Sequence, residues 1–351
     1  MRSNMSQSKK YRGGRPNPVW LLPVLFTVTM MCSAVVAADP VNLFFLVSKP
    51  TTDYLEVLAT VQDNLTETFP GKYSYTVEFA SEKTNSNAAE SNTLGSKALE
   101  FEAVAAASPI AAADFIITIG TVAADRAYQA QPKVPMISVL ITDNAFSVLA
   151  SKHYGSVDQA FRNQVSAICI DQPTDRSIRL AKLLLPEAKT VGVMLGLSSV
   201  ERREELAADI QAAGLQAEFV TIGSNDNPIN KIEPLMRNAD VFIPVPDTRL
   251  INIATAKWIL HLSYRYKVPV IAFSRTYAKA GALAAIYSSP HNVALQTAEW
   301  IADRAVSKAI SGQAYPPKYY SMDFNYSVAA SLNVAIKSDQ FYREQMHKEA
   351  Q

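Results

Sequence analysis

Ala113-Asp114-Phe115-Ile116-Ile117, with Gly120-Thr121 close behind and Lys133-Val134-Pro135-Met136-Ile137 further on, is met again about 130 residues later. The second copy reads Ala239-Asp240-Val241-Phe242-Ile243, then Asp247-Thr248, then Lys267-Val268-Pro269-Val270-Ile271. Each copy is an acidic residue, a wholly apolar run of strand length, a polar turn, a helical stretch and a second apolar run. Strands apolar on both faces and separated by helices belong to parallel sheets covered on both sides. A spacing this wide means duplication of a domain, not a solenoid repeat of roughly 20–50 residues. The words of the pattern are common to α/β chains and also recur by chance; the matched order of several features favours duplication.

Working outward, the same alternation fills the chain. Val41 to Val47 reads as a buried strand, Tyr54 to Thr68 as a helix, Tyr73 to Phe79 as a strand and Leu99 to Ala107 as an Ala-rich helix. Residues 81–98 are rich in Ser, Asn, Thr and Glu and read as a surface loop. The second half gives helices over Arg176–Leu185, Val200–Ala213, Leu250–Tyr266 and Asn292–Ile310, with Gly214 ending the second of them. It gives strands over Thr190–Leu195, Ala217–Ile222, Asp240–Val245, Val268–Phe273 and Ala282–Tyr287. A charged helical tail runs from Lys337 to Gln351, either docked on the first lobe or trailing in solution.

With 351 residues, 48% of them hydrophobic, the chain has material for about two domains. Its formal charge of +1 hides an asymmetry. Arg2, Lys9, Lys10, Arg12 and Arg15 precede residue 38 and no acid does, so the remainder is mildly negative. That argues against a nucleic-acid surface, which needs clustered Lys and Arg. Basic residues, an apolar stretch from Val19 to Val36 and the small residues Ala37-Ala38 are the order of a secretory signal, expected to be cleaved near Ala38. An uncleaved anchor is the alternative, because the apolar stretch is nearly of membrane-spanning length. After cleavage only Cys169 remains, inside an apolar run, and reads as a buried inert thiol. Signs of catalysis fail. His153, His261, His291 and His347 lack metal-ligand spacing, and neither a Gly-x-Ser-x-Gly turn nor a phosphate loop occurs. No enzyme activity, cofactor or metal is expected.

Several stretches resemble the tryptophan-binding-like substrate-binding proteins of ABC transporters. Leu183-Leu184-Leu185-Pro186-Glu187-Ala188-Lys189-Thr190-Val191-Gly192-Val193 looks like that family's entry to its second lobe. Asp240 to Asp247, Val268-Pro269-Val270-Ile271 with Ala280-Gly281-Ala282-Leu283, and Phe324-Asn325 with Ala329 and Leu332 look like its later motifs. Ile119-Gly120-Thr121 and Val134-Pro135 to Thr142-Asp143 fit in the first half. Departures stand at Asn144, Ala167, Ser289 and Ala294, where the family usually has Pro, Gly, an acid and Gly, so the ligand can differ from the family's aromatic amino acids. The resemblance implies an α/β fold of two Rossmann-like lobes with parallel sheets joined by a hinge, the periplasmic binding protein type 1 arrangement. The expected division is a signal peptide over 1–38, a first lobe over 39–170 and 318–351, and a second lobe over 171–317.

Open parallel sheets bind ligands beyond the carboxyl ends of their strands, where helix N-termini present free N–H groups. Two lobes facing each other there would close on a ligand about the hinge. On that reading Gly120, Thr121 and Asp143 form the first lobe's side, and Ser198, Ser199, Asp247, Thr248, Ser274 and Tyr287 the second's. Ordinary readings compete for five of them: helix capping for Thr121, Ser198, Ser199 and Asp247, and turn formation or helix capping for Asp143. Gly120 permits close backbone approach, and Tyr287 offers a wall with a polar tip. Arg275, beside Ser274, is a further candidate, for an anion. The expected function is capture of a small molecule, amino-acid-like or apolar, by a periplasmic monomer that delivers it to an inner-membrane permease or other membrane partner. A carrier of an apolar, lipid-like ligand and a sensor-type binding module are the alternatives.

Overall fold

In a computed structural model, which describes residues 39–80, 112–247, 249–307 and 311–348, the apolar runs pair as the duplication requires. The first half holds β1 (Val41–Val47), α1 (Thr52–Thr68), β2 (Tyr73–Phe79), β3 (Phe115–Ile119), α2 (Thr121–Ala130), β4 (Met136–Ile141), α3 (Asp143–Tyr154), α4 (Val157–Arg162) and β5 (Val165–Cys169). The second holds α5 (Thr174–Leu184), β6 (Thr190–Leu195), α6 (Arg203–Ala212), β7 (Gln216–Thr221), α7 (Pro228–Asn238), β8 (Val241–Phe242), α8 (Ile253–Tyr266), β9 (Ile271–Ala272), α9 (Arg275–Ala280) and β10 (Ala284–Tyr287). The chain ends with α10 (Pro290–Ser307), β11 (Ala314–Tyr315), β12 (Ser321–Phe324), α11 (Tyr326–Leu332) and α12 (Asp339–Lys348).

One sheet has the order β2-β1-β3-β4-β5-β11, every pairing parallel. The second lobe has β7-β6-β8 and β9-β10-β12, joined by a bridge from Phe242 to Val270. Read across that bridge, the two lobes share one strand order. The last strand differs: β12 runs antiparallel to β10. Alternation along each strand feeds two cores. Leu43, Phe45 and Val47 face α1 and α10, whereas Phe44 and Leu46 face α2 and α3. In the second lobe Val191, Val193 and Leu195 face α5 and α6, and Met194 faces α7 and α8. Burying each such side chain stabilises by about 1.5–3 kcal/mol.

The ends of the chain are allotted differently from the expected division at residue 318. α10 places Val293, Ala294, Ala298 and Ile301 against Val57, Leu58, Val61 and Leu65 of α1, and β11 extends the first sheet beside β5. β12 pairs with β10, and the tail helix α12 buries Tyr342 and Met346 in the core around α5. The tail therefore belongs to the second lobe and the preceding helix to the first, because their apolar faces complete those cores. The chain crosses between lobes three times, near residues 170–173, 288–289 and 316–318. The expected signal segment, the loop over 81–98 and the helix over 99–107 lie outside the described residues.

Candidate functional site

β3, β4 and β5 of the first lobe end beside the first crossover, and β8 and β9 of the second lobe end opposite. A cleft of about 200 Å³ opens between them, lined by Thr142, Ile170, Asp171, Gln172, Pro246, Asp247, Ile251 and Phe273. Its first-lobe rim is shaped by an irregularity: the register of β4 on β5 shifts between Val139 and Ile141, and Leu140 takes a φ of 51°. A left-handed leucine is strained, and such strain persists where the surroundings impose it. The bulge sets the direction in which Thr142 and Asp143 leave the strand.

Thr142 caps α3, its hydroxyl accepting from the Ala145 amide at 3.2 Å. Asp143, exposed, is the first helical residue, and its amide donates to Asp171 Oδ2 at 2.7 Å. Burial pushes the Asp171 carboxyl up, and the neighbouring Asp143 carboxylate adds to this; the Asp143 amide and Arg202 oppose it. Cys169 lies beside them, Sγ 3.9 Å from Asp143 Oδ1, with its thiol pushed up to about 12 by burial and the two carboxylates. It is the buried, inert thiol the sequence suggested.

On the opposite wall Ser198, Ser199 and Asp247 come together. Asp247 is 4% exposed. Its Oδ1 accepts from Ser198 Oγ at 2.7 Å and from the amides of Arg249 and Leu250 at 3.0 and 3.1 Å; its Oδ2 accepts from Ser199 Oγ at 2.8 Å. Burial alone would push this carboxyl up, but the donors outweigh it and hold it below the usual range. Gly196 lets the carboxylate approach, since a Cβ there would lie 2.6 Å from Asp247 Oδ2. Asp247 is thus a clasp joining the β6–α6 and β8–α8 turns, and it also forms part of the cleft wall.

The other expected residues are placed differently. Gly120 has a φ of 89°, and a Cβ there would sit 2.6 Å from Ser48 Oγ and 2.9 Å from the Tyr54 ring. The cap of α2 is Ser48, whose Oγ accepts from the Ala123 amide at 2.9 Å. Thr121 makes no cap and stands exposed at the first turn. Ser274 caps α9, accepting from the Tyr277 amide at 3.2 Å. Tyr287 donates to Asp323 Oδ2 at 3.2 Å, which also binds Arg275 Nε at 2.8 Å, so Tyr287 and Arg275 are engaged with a β12 acid. Thr248 lies outside the described residues.

Three features of this region carried no sequence signal. Ile170, Asp171 and Gln172 belong to the crossover yet line the cleft. Phe273 supplies an aromatic wall. The crossovers are also tied together: Ser288 Oγ donates to the Ile170 carbonyl at 3.0 Å and accepts from Gln172 Nε2 at 2.7 Å. Arg176 donates to Gln172 Oε1 at 2.7 Å and to the Pro317 carbonyl at 2.8 Å.

The family of ABC transporter substrate binding proteins matches residues 92–338. The chain belongs to this family. A tyrosine-binding protein of Clostridioides difficile (strain R20291) is 29% identical to this substrate-binding protein over 174 residues, 49% of the chain and 48% of the relative. The match thus spans about half the length of that curated relative. Among solved structures, the ligand-free open form of a substrate-binding protein with adhesive properties from Clostridium difficile has a TM-score of 0.61 at 15% identity, covering 85% of this chain and 97% of that one. An ABC domain in complex with L-Trp from Streptococcus pneumonia has a TM-score of 0.51 at 17% identity, covering 86% and 97%. At these identities the likeness is one of fold: the two-lobed periplasmic binding protein type 1 arrangement. No helix among the described residues of this substrate-binding protein is long and apolar enough to cross a membrane.

Proposed function

We propose that this substrate-binding protein captures one amino-acid-like solute in the cleft between its lobes and hands it, without chemical turnover, to a membrane permease. The observation that carries this is the composition of the cleft. Ile170, Pro246, Ile251 and Phe273 form an apolar wall, and Asp171 with Asp143 supplies negative charge at one end. An apolar or aromatic side chain suits the wall, and an ammonium group suits the carboxylates. Asp247, its oxygens already taken by four donors, shapes the wall more than it binds. The tyrosine-binding relative and the neighbour solved with L-Trp support an aromatic amino acid as the first candidate. The basic-apolar-small order of the first 38 residues supports action in the periplasm.

Titration calorimetry and thermal shift with L-Tyr, L-Trp, L-Phe and aliphatic amino acids test the reading. Saturable one-to-one binding of at least one of them is expected, weakened tenfold or more in Asp171→Asn. Absence of binding by every amino acid, with a lipid found by native mass spectrometry of the purified protein, would replace this reading by the apolar carrier. The apolar wall favours that alternative; the small cleft, about 200 Å³, weighs against an acyl chain.

A further inference from the structure

We propose that the outer face of α8 is a docking strip for an anionic phospholipid bilayer. Ile253, Lys257, Trp258, His261, Tyr264 and Arg265 are all exposed, and at 100° per residue they fall on one continuous arc of the helix. The opposite arc, Thr255, Ile259, Leu262 and Ser263, is buried in the second lobe. Three large apolar side chains on the arc are solvent-facing: Ile253 at 78%, Tyr264 at 67% and Trp258 at 43%. Single exposed apolar residues need no explanation, but an aligned set flanked by polar groups marks an interaction surface.

The charge on the strip selects the partner. Its ionisable side chains are Lys257, Arg265 and His261, with no acid among them. Lys267, one residue beyond the helix, places Nζ 5.0 Å over the Tyr264 ring. The acid facing this end is Glu233 of α7, 3.8 Å from Arg265, and it is itself held by Arg237 at 2.9 Å, so the border adds no net negative charge. Trp and Tyr rings settle at headgroup depth, and basic side chains beside them meet anionic lipid. A lone helix presents a convex strip. A planar bilayer can meet it along its whole length, whereas a protein partner would have to supply a pocket for Trp258. A protein that serves a membrane transporter works beside such a surface.

The test is co-sedimentation of residues 39–351, without the apolar stretch Val19–Val36 and its Trp20, with vesicles of phosphatidylcholine alone and of phosphatidylcholine mixed with phosphatidylglycerol. Binding to the mixed vesicles is expected, falling at high salt, with a blue shift of emission that disappears in Trp258→Phe. The pair Lys257→Glu and Arg265→Glu should weaken partitioning at least about tenfold. Both sites are exposed, so a far-ultraviolet spectrum and melting curve like those of the wild type will show that the variant is folded. Equal sedimentation with both vesicle types, equal sedimentation of the charge-reversed variant, or none with either vesicle would overturn the proposal. Retention on an acidic protein surface without vesicle binding would also overturn it and reassign the strip to a protein partner.

Discussion

Asp171 and Asp247 are two carboxylates on one cleft with opposite behaviour, and the difference lies in their donors. Asp247 is held below the usual carboxylate range, so its contribution to stability is complete above the ordinary pKa and is lost as pH falls through the depressed folded value. Asp247→Asn is expected to cost about 1–3 kcal/mol at neutral pH, because the amide offers one acceptor oxygen where four donors converge. Urea denaturation should show that deficit shrinking in acid. Asp171 is pushed up, so the native state binds its proton more tightly than the unfolded chain. The resulting penalty is absent below the ordinary pKa and develops as pH rises through the folded value. Asp171→Asn is therefore expected to match or exceed the wild type in stability at pH 7, while losing affinity for an ammonium-bearing ligand. A melt and a titration on the same sample check both halves. Asp247 was visible in the sequence as a strand-end acid. Asp171 was not, since a residue in an irregular crossover has no periodicity to announce it.

At the level of elements, most long strands and helices could be read because their apolar positions repeat at 2 or 3.6 residues. α3 and α7, the latter interrupted by Pro234, escaped, as did the short α4 and α9 and the two-residue β11. The start of α2 was legible at Gly120-Thr121, but its cap was not: Ser48 lies 75 residues from the amide it serves. Such a partner follows only from the parallel pairing of β1 with β3. Ser48→Ala should cost about 1 kcal/mol. Gly120→Ala should cost more, roughly 1–3 kcal/mol, since it adds positive-φ strain to a collision with Ser48 and Tyr54. Comparing the two variants by chemical denaturation separates a lost cap from a strained turn.

For the whole molecule, the matching strand orders of the two lobes carry through the repeat first seen at Asp114 and Asp240. Which lobe takes the tail could not be read, because Tyr342 and Met346 are apolar in any setting and nothing local says whose core they fill. The three crossovers meet at Ser288, Gln172 and Arg176, so bending between lobes has to pass through these hydrogen bonds. Ser288→Ala is expected to lower stability by about 1 kcal/mol and to shift the balance of open and closed forms. Small-angle scattering with and without ligand would read this as a changed radius of gyration, and an unchanged profile would assign Ser288 to local structure alone.

The crossing of α10 and β11 back to the first sheet also bears on biosynthesis. Translation supplies Val41 early and Tyr315 late, yet both belong to one sheet. Until the ribosome has delivered the segment after Pro290, α1 lacks its covering helix and β5 its outer neighbour. The nascent first lobe thus emerges with an apolar face that stays uncovered until its last helix and strand follow.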